Sequence, residues 1–184
     1  YKLTKNMIDS LEGFPESIKF LKKNVNWLKD IPLLSDIIYT DEKYRVAIET
    51  VLQPQLNNFI VDTENAALNA IEVLAKSSSG KAGFLILDRF QQLKEQSLTS
   101  IPNTIKAAEI VQVDEKYRKL INYLLEGIYI ANENTNLSEI IKNSKETEPI
   151  YIISENGSLM QSKHQISGGA VGLFEGKRLG RIKN

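Results

Sequence analysis

The string DEKYR occurs twice, at residues 41–45 and at residues 114–118. Each copy follows an acidic residue and a short β-branched run, SDIIYT before the first and AEIVQV before the second. Downstream the apolar positions agree one for one. They are Tyr44, Ala47, Ile48, Val51 and Leu52 in the first copy, and Tyr117, Leu120, Ile121, Leu124 and Leu125 in the second. Both sets follow i, i+3, i+4, i+7, i+8, the stripe of a helix with one buried side. The offset is 114 − 41 = 73 residues. Two strand-to-helix units wired alike read as a duplicated architectural unit.

The pattern extends beyond the repeat. In the first half LLSDIIY reads as a strand. Thr40 or Asp41 caps a helix that runs to about Leu52, and Pro54 marks its exit. NNFIVD reads as a strand from its β-branched and aromatic content. Thr63 caps a second helix that buries Ala67, Ala70, Ile71 and Leu74, and SSSG breaks it. AGFLILD is an apolar run of strand length, expected to be buried on both faces. The second half gives strand AEIVQV, helix 114–125, strand GIYIAN, a shorter helix with Leu137, Ile140 and Ile141, and strand PIYIIS. Residues 89–104 read as a linker, and residues 14–30 carry no clear assignment. The expected class is α+β (mixed α/β), with two related subdomains in strand-helix-strand-helix-strand order.

Composition removes several function classes. Lys plus Arg and Asp plus Glu are each 23, so the formal charge is zero. That argues against a strongly nucleic-acid-binding surface overall and permits a local patch. There is no cysteine, which excludes disulfides and thiolate metal sites and fits a reducing cytoplasm. No apolar run approaches a membrane span. SSSGKAG fails as a phosphate loop, because Ala75 stands where a glycine is needed and Ala82 where Ser or Thr is needed. It also precedes a strand, whereas a phosphate cradle opens a helix. His164 is the only histidine and no G-x-S-x-G occurs, so neither zinc nor triad chemistry has its residues. Asp41 and Asp114 read as helix-start residues, and Tyr44 and Tyr117 as core.

The segment NGSLMQSKHQISGGAVGLFEG has no counterpart in the first half. Asn156-Gly157 is a hairpin turn signal. Gly168, Gly172, Gly176 and Gly180 recur every four residues, a spacing that would put all four on one face of a strand. A strand bare on one face admits another backbone closely. Ala170, Val171, Leu173 and Phe174 between the glycines speak against a solvated linker. At the start, YKLTKNMIDSLEGF carries Leu3, Met7, Ile8 and Leu11 at helical spacing, and the chain closes on GKRLGRIKN. Both ends read as cuts through a longer chain, with the opening helix stopping near Gly13.

NGSLMQSKHQISGGA resembles the closing motif of the hinge domain of bacterial-type structural maintenance of chromosomes (SMC) proteins, a DG turn, a short strand and a TGGS glycine pair. YRVAIETVL followed by NNFIVD, and GKAGFLILD after a helix, resemble the first half of that hinge. The resemblance spans roughly residues 13–176. Asn156 replaces the usual Asp, Ala170 the usual Ser, and His164 stands near a position often held by glycine.

The resemblance implies residues 1–12 as a coiled-coil stub, 13–100 as hinge subdomain I, 101–176 as subdomain II, and 177–184 as the start of the returning coil. It implies a symmetric homodimer joining two long arms in chromosome condensation and segregation. Gly157, Gly168, Gly169, Val171, Gly172, Leu173 and Phe174 would lie at the contact, where strands of one protomer extend the sheet of the other. Lys177, Arg178, Arg181 and Lys183 are candidate DNA contacts, and Lys19, Lys22 and Lys23 form a second basic cluster. The family's ATPase lies in distant head domains, so the hinge itself is expected to be non-catalytic. No cofactor, metal, membrane or small-molecule substrate is expected, and the location would be cytoplasmic, at the nucleoid. The competing reading is an enzyme or small-ligand receptor on a duplicated α/β unit.

Overall fold

A computed structural model describes residues 13–94, 100–144, 150–170, 172 and 175–180. The two DEKYR copies start their helices with the same backbone. Asp41 has φ −59° and ψ 146°, and Asp114 has φ −60° and ψ 147°. The carbonyl of each aspartate accepts the N–H of the tyrosine three residues on, Tyr44 at 3.0 Å and Tyr117 at 2.9 Å. Helix α3, Glu42–Leu52, begins within the first copy. Within the second, a 3-10 turn, Glu115–Tyr117, leads into helix α6, Arg118–Leu124. Lys43 caps the Tyr44 ring at 4.8 Å, and Lys116 caps the Tyr117 ring at 4.9 Å. The tyrosine beside it holds each lysine above the ordinary ammonium pKa.

The halves meet at an antiparallel pair of short strands. Strand β1, Tyr39–Thr40, pairs antiparallel with strand β5, Val111–Gln112, with Tyr39 opposite Gln112. Those two residues are themselves 73 apart, so each is the other's counterpart in the repeat. Behind it both helical stripes enter one central core. Tyr44, Ala47, Ile48 and Leu52 join Tyr117, Leu120, Ile121 and Leu125 there, with Leu56, Ile60, Ile130 and Ile153. The repeat is thus a device for burying two amphipathic helices against each other's half.

In the first half, helix α1, Glu16–Asn24, precedes the short helix α2, Leu34–Ile37. Strand β2, Phe59–Val61, pairs in parallel with strand β3, Phe84–Ile86. Helix α4, Glu64–Ser77, crosses between them, capped by the Thr63 hydroxyl, which accepts the Ala66 N–H at 3.3 Å. A flank core forms from Ile18, Leu21, Leu28, Phe59, Ala67, Ala70 and Leu74. Helix α5, Leu87–Phe90, leads out of β3.

The second half carries a five-stranded sheet in the order β4-β6-β7-β8-β9. Its strands are β4 Thr104–Lys106, β6 Ile128–Ala131, β7 Tyr151–Ser154, β8 Leu159–Gln161 and β9 Ile166–Gly168. The β6–β7 pair is parallel and the other pairs are antiparallel. Helix α7, Leu137–Asn143, joins β6 to β7 and covers Tyr129, Ala131 and Ile152 with Leu137 and Ile141. Strand, helix, strand, helix, strand therefore holds in both halves.

Several local expectations fail for identifiable reasons. LLSDIIY is mostly helix α2, because the Asp36 carboxylate accepts the Leu33 N–H at 2.9 Å and closes the turn. Residues 34–38 are all buried, and a fully buried run has no period to read. AEIVQV is a 3-10 turn, Ala107–Ile110, before the two-residue β5. The run expected to be doubly buried is half-buried, since β3 is an outer strand; Phe84 and Ile86 pack into the flank core, and Leu85 packs against the central one. Ile71 is 44% exposed, on the outer face of α4. The supposed linker 89–104 ends in the first residue of β4, an edge strand paired to β6. The stub expected over residues 1–12 lies outside the described residues.

Candidate dimer interface

The unmatched segment builds the far edge of the five-stranded sheet. Asn156 makes the turn from β7 to β8: its Oδ1 accepts from the Ser158 N–H at 3.0 Å, the Ser158 hydroxyl at 2.7 Å and the Ser154 hydroxyl at 2.9 Å. An asparagine or aspartate side chain does this work equally well, through its acceptor oxygen. Gly157 completes the turn with its N–H on the Ser154 carbonyl at 2.8 Å. A Cβ on Gly157 would lie 2.5 Å from Val46 Cγ1 and 2.9 Å from the Ala47 nitrogen. This glycine therefore seats the turn on α3 of its own chain.

Strand β9 ends the sheet, and its outer edge has no strand partner among the described residues. Gly168 lies opposite Leu159, where a Cβ would come within 2.5 Å of the Ser158 carbonyl oxygen. It is needed by the ladder itself. Gly169 has open space where a side chain would stand, and Gly172 only the Glu175 side chain at 3.8 Å. Gly168, Gly169, Ala170 and Gly172 are exposed. Even spacing does not make a glycine-faced strand: of the four regularly spaced glycines only Gly168 is in a strand, and Gly176 and Gly180 lie in turns. Val171, Leu173 and Phe174 lie outside the described residues.

Register shows which side chains crowd this edge. Tyr129, Ile152, Gln161 and Ile166 are neighbours across four strands on one face. Helix α7 covers that face as far as Gln161, whose Oε1 accepts the Ser138 hydroxyl at 3.2 Å. Beyond it the layer stops. Ile166 is 66% exposed and Leu159 39% exposed, on the same face as Gly168. The two apolar side chains and the open strand edge form one surface. Sequence reasoning singled out the glycines there and passed over Leu159 and Ile166, although their alternation with Met160 and Ser167 was readable. His164 is exposed in the β8–β9 turn.

The basic residues divide. Lys177 is exposed. The Arg178 guanidinium donates to Asn57 Oδ1 at 3.0 Å. Arg181 and Lys183 lie outside the described residues. Lys22 donates to the Ile31 carbonyl at 3.3 Å and sits 5.7 Å from the Phe59 ring centroid. Burial pushes its pKa down, against the pull of Asp36 and Asp30. Lys19 pairs with Glu16 at 3.5 Å. Neither basic group is a row of uncommitted cations.

Two of the clefts among the described residues lie against the second half. One, about 360 Å³, mixes Lys94, Lys106 and Lys119 with Glu109 and Glu126. The other, about 880 Å³, is lined by Asn103, Asn132, Asn134, Asn136 and Asn143 among isoleucines. Among the described residues no group of His, Asp and Glu could hold a metal, and no helix is long and apolar enough to cross a membrane.

Comparison with known proteins gives one consistent result. A family profile described as "SMC proteins Flexible Hinge Domain" matches residues 28–135. The chain is 27% identical over 179 residues to a chromosome partition protein Smc from Chlorobaculum tepidum, covering 97% of this chain and 15% of that protein. It is 30% identical over 171 residues to a chromosome partition protein Smc from Mesomycoplasma hyorhinis, covering 84% of this chain and 17% of that one. The chain thus spans about a sixth of the length of these relatives. Among solved structures, the asymmetric dimer of the Geobacillus stearothermophilus SMC hinge domain matches with a TM-score of 0.80 and 25% identity, over 99% of this chain and 75% of that one. The Pyrococcus furiosus SMC hinge domain shares the fold, with a TM-score of 0.65 and 22% identity, over 93% of this chain and 90% of that one.

Proposed function

The chain belongs to the family of SMC flexible hinge domains, and from that premise we propose that it pairs with a second copy of itself through the β9 edge, joining two long arms of a chromosome partition protein. The observation that carries this is the exposed strip of Leu159 and Ile166 beside a strand edge that has no strand partner among the described residues. An open edge with apolar neighbours is a liability in a lone molecule, and closing it in a two-fold assembly removes the exposure. Gly169 and Gly172, with room where side chains would stand, would let the partner's backbone approach, Gly168 would keep the edge strand in register, and Val171, Leu173 and Phe174 would add apolar contact. The division into subdomains at residues 13–100 and 101–176 belongs to the same proposal. So does a place in the cytoplasm at the nucleoid, with chemistry confined to parts of the protein outside this chain. DNA contact at the exit draws no specific support from Arg178, whose guanidinium is committed to Asn57.

The test is the double variant Leu159→Glu/Ile166→Glu, which changes two exposed side chains and leaves every glycine in place. Sedimentation equilibrium of the native chain should give twice 20.8 kDa. The variant, with two carboxylates at the contact, should give the single mass. A variant that remains dimeric at the same concentrations would overturn the proposal.

A further inference from the structure

The 73-residue offset allows each polar group in one half to be compared with its counterpart in the other. In the second half, Arg118 closes the turn before β5. Its Nη1 donates to the Ala108 carbonyl at 3.0 Å and its Nη2 to the Val111 carbonyl at 3.1 Å. The counterparts of those carbonyls are Ser35 and Ile38, and the counterpart of Arg118 is Arg45. Here the halves part. The Ser35 carbonyl accepts the N–H of Gly180, at 2.9 Å. A Cβ on Gly180 would stand 2.7 Å from the Tyr39 ring and 3.5 Å from the Ile38 oxygen. The C-terminal segment occupies in the first half the place that a guanidinium fills in the second. Only a residue without a side chain fits there, and its φ of +62° suits glycine as well.

The rest of the segment is held by α3. Glu49 is 5% exposed, and its two carboxylate oxygens accept one N–H each, from Gly176 and from Arg178. Leu179 is buried in the central core. Arg178 reaches Asn57, beyond the end of α3. Position 122, the counterpart of Glu49, is an asparagine. The carboxylate thus stands only in the half that receives the segment.

We propose that Glu49 is a positioning residue that clasps residues 175–180 to the first repeat and so fixes the direction in which the chain leaves the domain. These contacts lie within one chain and do not depend on the pairing of two copies. Their consequence reaches that pairing, because residues 169–175 connect the β9 edge to the clasp. Gly157 also presses the β7–β8 turn onto Val46 and Ala47, one turn from Glu49. Exit, turn and helix α3 then move as one body.

The experiment uses the whole chain. Glu49→Gln keeps the volume but turns one accepting oxygen into a donor, which leaves one of the two N–H groups without its acceptor. Amide hydrogen exchange at Gly176 and Arg178 should quicken by about tenfold or more, with the amides of α6 unchanged. Asn122→Gln, at the symmetry-related position, should leave both rates alone. The absence of cysteine permits spin labels at introduced cysteines replacing the exposed Glu72 and Lys177. Their distance distribution should be narrow in the native chain and in Asn122→Gln, and broad in Glu49→Gln. Should Glu49→Gln unfold the chain, the native protein alone decides. Exchange at Gly176 and Arg178 as fast as in a free peptide, or a distribution already broad, would overturn the clasp; protection with a narrow distribution supports it. Unchanged rates and distances in a folded Glu49→Gln would overturn it as well.

Discussion

Helices α3 and α6 start from the same five residues and send the same stripe into one core, yet they serve different neighbours. Around α6 the half is closed on itself, with Arg118 tying the carbonyls of Ala108 and Val111. Around α3 the equivalent place is filled by a segment more than a hundred residues away, through Glu49 and Ser35. A duplicated unit supplies two identical seats. Substitution at a few polar positions decides which of them receives the returning chain.

The comparison breaks most easily in the core. Ile48→Ala and Ile121→Ala remove symmetry-related, fully buried side chains, 1% and 0% exposed. Each should lower stability in urea by about 2–5 kcal/mol. If one proves nearly neutral, the two stripes do not share a core. Next come the arginines. Arg118→Met leaves two carbonyls without their guanidinium and should cost about 1–3 kcal/mol, whereas Arg45→Met should shift the urea midpoint far less. Equal losses would contradict the asymmetry. The smallest effects lie at the caps of the second helix in each half. Thr63→Ala and Asn136→Ala should each cost about 1 kcal/mol. Asn136 should be the larger, since its Oδ1 accepts from both Ser138 and Glu139 while Thr63 accepts from Ala66 alone. Thermal unfolding of the two variants side by side would rank them.

Legibility tracked locality. The stripes on α3 and α6, the Thr63 cap, strands β2, β6 and β7 and the Asn156-Gly157 turn all show in spacing and residue type, because a helix period or a turn preference is set within a few residues. LLSDIIY escaped because it is buried on every side. At the candidate interface, the glycine-rich segment drew attention to this stretch of chain but not to the roles within it. Gly157 and Gly168 answer to α3 and β8 of the same chain, and Leu159 and Ile166 matter because helix α7 stops short of them. Glu49 sits among helix residues that look alike on paper. A carboxylate beside the buried stripe was its one signal.

By itself the sequence determined the doubling, the order of elements in each half and the faces that must be buried, since apolar period is a property of consecutive residues. Tertiary structure alone decided that β1 and β5 pair at Tyr39 and Gln112, that β9 is left as an edge among the described residues, and that residues 176–180 lie against α3. Those outcomes depend on which backbone carbonyls and N–H groups remain unpaired once the core has closed, and their partners come from positions far apart in the chain.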